Sequence, residues 1–137
     1  MAGYSVTPLV QKLGLKENYR LAFVSAPPEF SMLLGELPQG ATILRTAKKP
    51  LDLVVLFTTK LTDLTRRFER LAPLLAPAGM LWVAWPKKSS GVSTDLSENI
   101  IRQVGLDRGL VDIKVCAIDE VWSGLKFVMR VKDRAKP

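Results

Sequence analysis

From Leu51 to Trp85 the chain reads LDLVVLFTTKLTDLTRRFERLAPLLAPAGMLWVAW, and this stretch decides the fold class. Its first seven residues, Leu51-Asp52-Leu53-Val54-Val55-Leu56-Phe57, are almost uninterruptedly apolar, as expected of a strand covered on both faces. The period then changes. Leu61, Leu64, Phe68, Leu71 and Leu75 recur at three- and four-residue intervals and form one helical stripe, with Arg66, Arg67 and Arg70 mostly off it. Ala76-Pro77-Ala78-Gly79 is expected to stop that helix and start a second buried strand, Met80-Leu81-Trp82-Val83-Ala84-Trp85. Strand, helix and buried strand in succession form the crossover unit of a parallel sheet.

Upstream, Leu21-Ala22-Phe23-Val24 reads as a short buried strand. It follows a helix around Pro8 to Leu13, which Thr7 is expected to cap and Gly14 to end. A brief helix near Glu29 to Leu34 and a weak strand at Thr42 to Leu44 come next. Downstream, Asp95 and Glu98 stand three apart like a capping box, with Leu96, Ile100, Ile101 and Val104 as the buried face of another helix and Gly105 as its terminator. Two final strands, Asp112 to Glu120 and Leu125 to Lys132, are joined through Ser123-Gly124 as a hairpin. The fold class is therefore α/β: one Rossmann-like three-layer α/β/α domain over residues 1–137, with a mostly parallel sheet and a C-terminal antiparallel hairpin.

Composition narrows the chemistry. The 137 residues contain no histidine and one cysteine, which excludes Ser-His-Asp and Cys-His machinery and metal sites built on imidazole or several thiolates. Cys116 lies in the apolar run Val115-Cys116-Ala117-Ile118, where a thiol acts as a small core residue. Twenty Lys and Arg against thirteen Asp and Glu leave a charge of +7, which favours anionic partners. The longest apolar run, near Gly79 to Trp85, is far shorter than the roughly 20 residues of a membrane helix, and the N-terminus has no basic lead with an apolar core. A cytoplasmic protein without membrane partners is expected.

The Asp-Leu-Val-Val strand, the amphipathic helix, Leu-Leu-Ala-Pro-Ala-Gly and the Trp-Val strand within 51–85 resemble the second half of class I S-adenosylmethionine-dependent methyltransferases, and the terminal hairpin fits that family too. The resemblance implies the fold, with a reduced methyltransferase-like enzyme as one functional alternative. Two positions depart from it. A cofactor-binding Rossmann unit carries a Gly-x-Gly-x-x-Gly-like turn after its first strand, whereas this chain has Ser25-Ala26-Pro27-Pro28-Glu29; an acidic residue is expected near the end of the second strand, where Leu44-Arg45-Thr46-Ala47-Lys48-Lys49 is basic. Leu81 to Val92, Asp95 to Asn99 and Val115 to Leu125 also resemble an uncharacterised family of small bacterial proteins, a likeness that implies a fold and no mechanism.

Ligands of open α/β sheets gather outside the carboxyl ends of the strands. Four segments are expected there: Ser25; Thr58-Thr59-Lys60; Pro86 to Thr94; and Asp119-Glu120-Val121-Trp122. The third concentrates Lys87, Lys88, Ser89, Ser90, Gly91, Ser93 and Thr94 ahead of a helix, a composition suited to a small anionic or phosphorylated ligand. The same residues also suit a simpler arrangement, with Ser93 or Thr94 capping the helix and the two lysines in water. Asp119 and Glu120 either orient a cation, hydroxyl or water, or neutralise nearby lysines. Trp82 is expected in the core, while Trp85 and Trp122, where strands leave the sheet, either pack at its rim or wall a pocket. Arg66, Arg67, Arg70, Lys126, Arg130, Lys132, Arg134 and Lys136 offer an alternative, a nucleic-acid surface, although no nucleic-acid motif accompanies them. The leading expectation is a binding or regulatory module, with no catalytic residue, cofactor or oligomeric state specified.

Overall fold

A computed structural model describes residues 7–134. The elements run α1 (Leu9–Leu13), β1 (Arg20–Val24), α2 (Phe30–Leu34), β2 (Thr42–Ile43), β3 (Leu51–Phe57), α3 (Leu61–Leu71), β4 (Leu75–Pro86), α4 (Glu98–Asp107), β5 (Leu110–Ala117), β6 (Trp122–Met129) and α5 (Val131–Arg134). One six-stranded sheet has the order β2-β1-β3-β4-β6-β5. The first four strands in that order are parallel to one another, and β6 runs antiparallel to both β4 and β5. The expected α/β architecture, mostly parallel with a terminal hairpin, is the one observed. No helix of the described residues is long and apolar enough to cross a membrane.

Period-2 alternation sends the strand side chains into two cores. On one face Val54, Leu56, Leu81, Val83, Leu125 and Phe127 pack against Leu64, Phe68 and Leu71 of α3 and Ile101 of α4. On the other, Leu21, Leu53, Val55, Phe57 and Trp82 pack against Leu13 of α1 and Phe30 and Leu34 of α2. Each large apolar side chain fully removed from water contributes about 1.5–3 kcal/mol, so β3, buried on both faces, anchors both layers. The layers are unequal. α3 and α4 have eleven and ten residues, whereas α1 and α2 have five each. The thinner layer covers β1, β3 and β4 and leaves part of β6 and β5 open.

Several boundaries differ from the sequence reading for identifiable reasons. Leu75 does not extend the helical stripe; it starts β4 and pairs with Leu51, after which the register jumps to Leu53 with Met80. Ala76 to Gly79 thus bulge within the strand instead of preceding it. A β-carbon at Gly79 would lie 2.5 Å from the Leu51 carbonyl, so the close approach requires glycine. The α1 cap position is Pro8, not Thr7, while Gly14 ends the helix with φ 88° as expected. The α4 cap is Ser97, whose Oγ accepts from the Ile100 N–H, and Asp95 instead accepts the Leu61 N–H at the start of α3. Gly105 does not stop α4. It is buried within the helix against Phe127, and Gly109, at φ 85°, follows the actual end at Arg108. The hairpin strands begin and end earlier than expected, which puts Lys132 in α5. Ile100 is not buried but 38% exposed, because Leu64, Phe68 and Phe127 fill the core that Ile101 enters.

Candidate functional site

The chain passes from β1 to β2 on one side and then returns to lay β3 on the other side of β1. This reversal opens the crevice expected of a topological switch point, above the carboxyl ends of β1 and β3. On the α2 side that crevice is filled by four rings in edge-to-face contact. Phe23 meets Phe30 at 5.1 Å, Phe30 meets Phe57 at 4.9 Å, and Phe57 meets Trp122 at 5.1 Å between centroids.

The loops after β3, β4 and β5 are tied to one another beside these rings. Thr58 N–H donates to the Ala84 carbonyl, Lys87 N–H to Val121 at 2.7 Å, and Thr94 Oγ1 to Thr59 at 2.6 Å. Ser90 Oγ donates back to Lys87 and accepts from Val92 N–H, which closes the loop on itself around Gly91. Lys88, Ser89, Ser93 and Lys60 are exposed. Neither Ser93 nor Thr94 caps α4: Thr94 Oγ1 accepts the N–H of Leu96, the residue just before the Ser97 cap. Asp119 Oδ1 accepts the N–H groups of Val121 and Trp122, each at 2.8 Å, and so shapes the hairpin connection, while Glu120 is exposed. Trp82 is fully buried, its Nε1 donating to the Leu13 carbonyl at 2.8 Å. Trp85 is buried in the α3/α4 core, and Trp122 is half-buried on Phe57.

Ser25 belongs to a different part of the edge. It adopts φ 57°, a left-handed conformation that turns the chain sharply after β1 without the glycines of a dinucleotide-binding turn. On the α3 side of the switch point, Val24, Ser25, Arg45, Thr46, Ala47, Arg67, Arg70, Leu71 and Leu74 are among the residues lining a pocket of about 470 Å³. Three arginines, from the β2–β3 loop and from α3, therefore line one pocket. Arg67 donates to Asp63 at 2.8 Å, whereas Arg45 and Arg70 make no ion pair with a carboxylate among the described residues. Asp63 also accepts from Arg66 and from the buried Thr58 hydroxyl at 2.8 Å. Burial would raise the Asp63 carboxyl, but the bonds from Thr58, Arg67 and Arg66 outweigh it and hold the group below its ordinary value.

The sequence had marked this edge by Ser25 and by a basic segment at Arg45, but not the pocket. Arg67 and Arg70 fall off the apolar stripe of α3, and nothing in their spacing says that the β2–β3 loop meets them. Only the folded chain does.

No family model matches the chain, and no curated protein matches it in sequence. Solved structures do match. A SAM-dependent methyltransferase from Aquifex aeolicus superposes with a TM-score of 0.56 at 14% identity, covering 87% of this chain and 86% of that one. The fold is methyltransferase-like. Magnesium protoporphyrin IX methyltransferase from Synechocystis PCC 6803 matches at 0.56 and 13% identity over 88% of this chain and 74% of its own. Aeropyrum pernix fibrillarin, solved with natively bound S-adenosyl-L-methionine, matches at 0.53 and 15% over 92% and 70%. At such identities the methyltransferase-like likeness is one of fold, and fold alone does not carry activity.

Proposed function

We propose that this protein binds a small anionic ligand at the carboxyl edge of its sheet, in the pocket between Ser25, the Arg45–Ala47 segment and α3. The observation that carries this reading is the convergence of Arg45, Arg67 and Arg70 on one pocket of about 470 Å³, within the range of small-molecule sites. Guanidiniums recognise carboxylates and phosphates through paired planar hydrogen bonds, so the ligand class is a carboxylate or phosphate ester with an apolar part that meets Leu71 and Leu74. Lys87 and Lys88, beyond β3 at the same edge, add a positive field that draws anions in.

A methyltransferase-like enzyme is the second reading, and the solved-structure likenesses support it more directly than the first. The pocket residues do not fit S-adenosylmethionine. Three guanidiniums oppose a sulfonium cation, no carboxylate lines the pocket among the described residues, and Pro27 and Pro28 offer no N–H in the turn after β1.

Isothermal titration of phosphate- and carboxylate-bearing metabolites, with S-adenosylmethionine as a separate arm, tests both readings. Saturable binding of an anion that is lost in the R45Q/R70Q variant and weakened in K87A/K88A is the expected result. Binding of S-adenosylmethionine with no anion response would replace the first reading by the second.

A further inference from the structure

The thin helical layer leaves a second feature uncovered. On the α1/α2 face, β6 and β5 place Lys126 directly opposite Lys114, and Gly124 opposite Cys116. Trp82 and Ala84 of β4 continue those two rows. Like charges on facing positions of an antiparallel pair destabilise it, so the arrangement is one that a purely structural surface would avoid. Two further lysines join from the end of α1. Lys12 Nζ donates to the Ala117 carbonyl at 3.3 Å, Lys114 Nζ donates back to the Lys12 carbonyl at 3.1 Å, and Lys16 lies close enough to repel Lys126. Lys126 Nζ sits 5.7 Å above the Trp82 ring, and a β-carbon on Gly14 would lie 4.0 Å from it.

Among the described residues, no carboxylate forms an ion pair with these four lysines. Every ion pair among the described residues uses arginine, and residues 1–6 and 135–137 contain no Asp or Glu. Burial first, then Lys114 and Lys16, push the Lys126 ammonium below its ordinary value. The site is separate from the arginine pocket, since it lies on the opposite face of the sheet and on its other half.

We propose that Lys12, Lys16, Lys114 and Lys126 form a second site, a cradle on the open face of β5 and β6 that binds a multivalent phosphate-class oxyanion beside Cys116. Four ammonium groups would overcompensate a monoanion, whereas a diphosphate relieves their repulsion and accepts hydrogen bonds from several of them. Lysine, a compact point charge with three donors, suits a phosphate cluster more than a planar carboxylate. Gly124, between Cys116 and Ala84, lets the Trp82 ring and Ile118 lie close against the sheet, since a β-carbon there would meet them at 3.0 and 3.3 Å, and the lysines ring this apolar floor.

Cys116 supplies a local reporter because the chain has no other cysteine. The intact protein is alkylated with anionic iodoacetate and with neutral iodoacetamide, with and without inorganic pyrophosphate at matched ionic strength. Pyrophosphate should slow both reactions saturably, and K114Q/K126Q should weaken that protection roughly tenfold. R45Q/R70Q should leave it intact, which separates this site from the arginine pocket. Parallel arms with adenosine diphosphate and with a single-stranded oligonucleotide distinguish sources: protection by pyrophosphate and the nucleotide alike assigns recognition to the phosphates alone. Protection by the oligonucleotide only would overturn the proposal in favour of a nucleic-acid surface. No protection by pyrophosphate, or protection unchanged in K114Q/K126Q, would overturn it outright.

Discussion

Thr58 and Asp63 show how one residue pair ties the edge of the sheet to a helix. Thr58, 4% exposed, directly follows β3, and the bond from its hydroxyl to Asp63 satisfies it while pulling the carboxylate toward the sheet. The carboxyl titrates below its ordinary value, so its stabilisation is fully present above the unfolded-state pKa, about 4, and is lost as pH falls through the lower folded value. Asp63→Asn should therefore destabilise the protein at pH 7 and converge with the parent in strong acid. Urea unfolding at both pH values checks this, and a gap that does not close with acid would refute it. Thr58 was legible from its place after an apolar run. Its partner was not, because Asp63 reads simply as an acidic residue in the first turn of a helix.

Elements here are fitted to one another by glycines with opposite meanings. In most helix interiors Gly→Ala adds about 1 kcal/mol of stability. Gly105 should reverse that sign, since a β-carbon there would collide with the Phe127 ring, which Phe68 holds in edge-to-face contact at 5.3 Å. We expect Gly105→Ala to destabilise by about 1–3 kcal/mol, the range for overpacking a core, and F127L to recover much of that loss in the double variant. Chemical denaturation of the four proteins decides it, and a more stable G105A would remove the steric argument. The sequence offered Gly105 as a helix stop because local propensity was the only signal available. Packing against β6 is a contact between segments about twenty residues apart, and no local rule contains it. The same holds for Leu75, which fits the α3 stripe yet pairs with Leu51.

At the scale of the whole molecule, unequal layers set where other molecules can reach. α3 and α4 protect most of one face, the other face is thin, and the sheet ends at β5, an edge strand with Ile113 56% and Val115 47% exposed. An open apolar edge invites pairing with another chain. Ile113 is the bulged residue opposite no partner on β6, so a charge there disturbs the ladder little. Ile113→Lys should reduce concentration-dependent self-association in light scattering without lowering the melting temperature; equal scattering from both proteins would show that this edge is already protected. The charge of +7 also gains a distribution: one group of arginines at the switch-point pocket and one group of lysines on the opposite face, each short of carboxylates.

By itself the sequence determined the α/β class, the succession of elements, the central strand at Leu51–Phe57 and the absence of histidine chemistry. Each is written in local periodicity or composition, which tertiary contacts do not alter. Only the tertiary structure decided which charges stand together. Arg45 meets Arg67 and Arg70 because the β2–β3 loop folds over α3, and Lys114 faces Lys126 because a bulge at Ile113 sets the hairpin register. Like charges repel, so no short-range preference brings them together; the burial of the two cores does, and it overrides a repulsion that each cluster retains for a ligand to relieve.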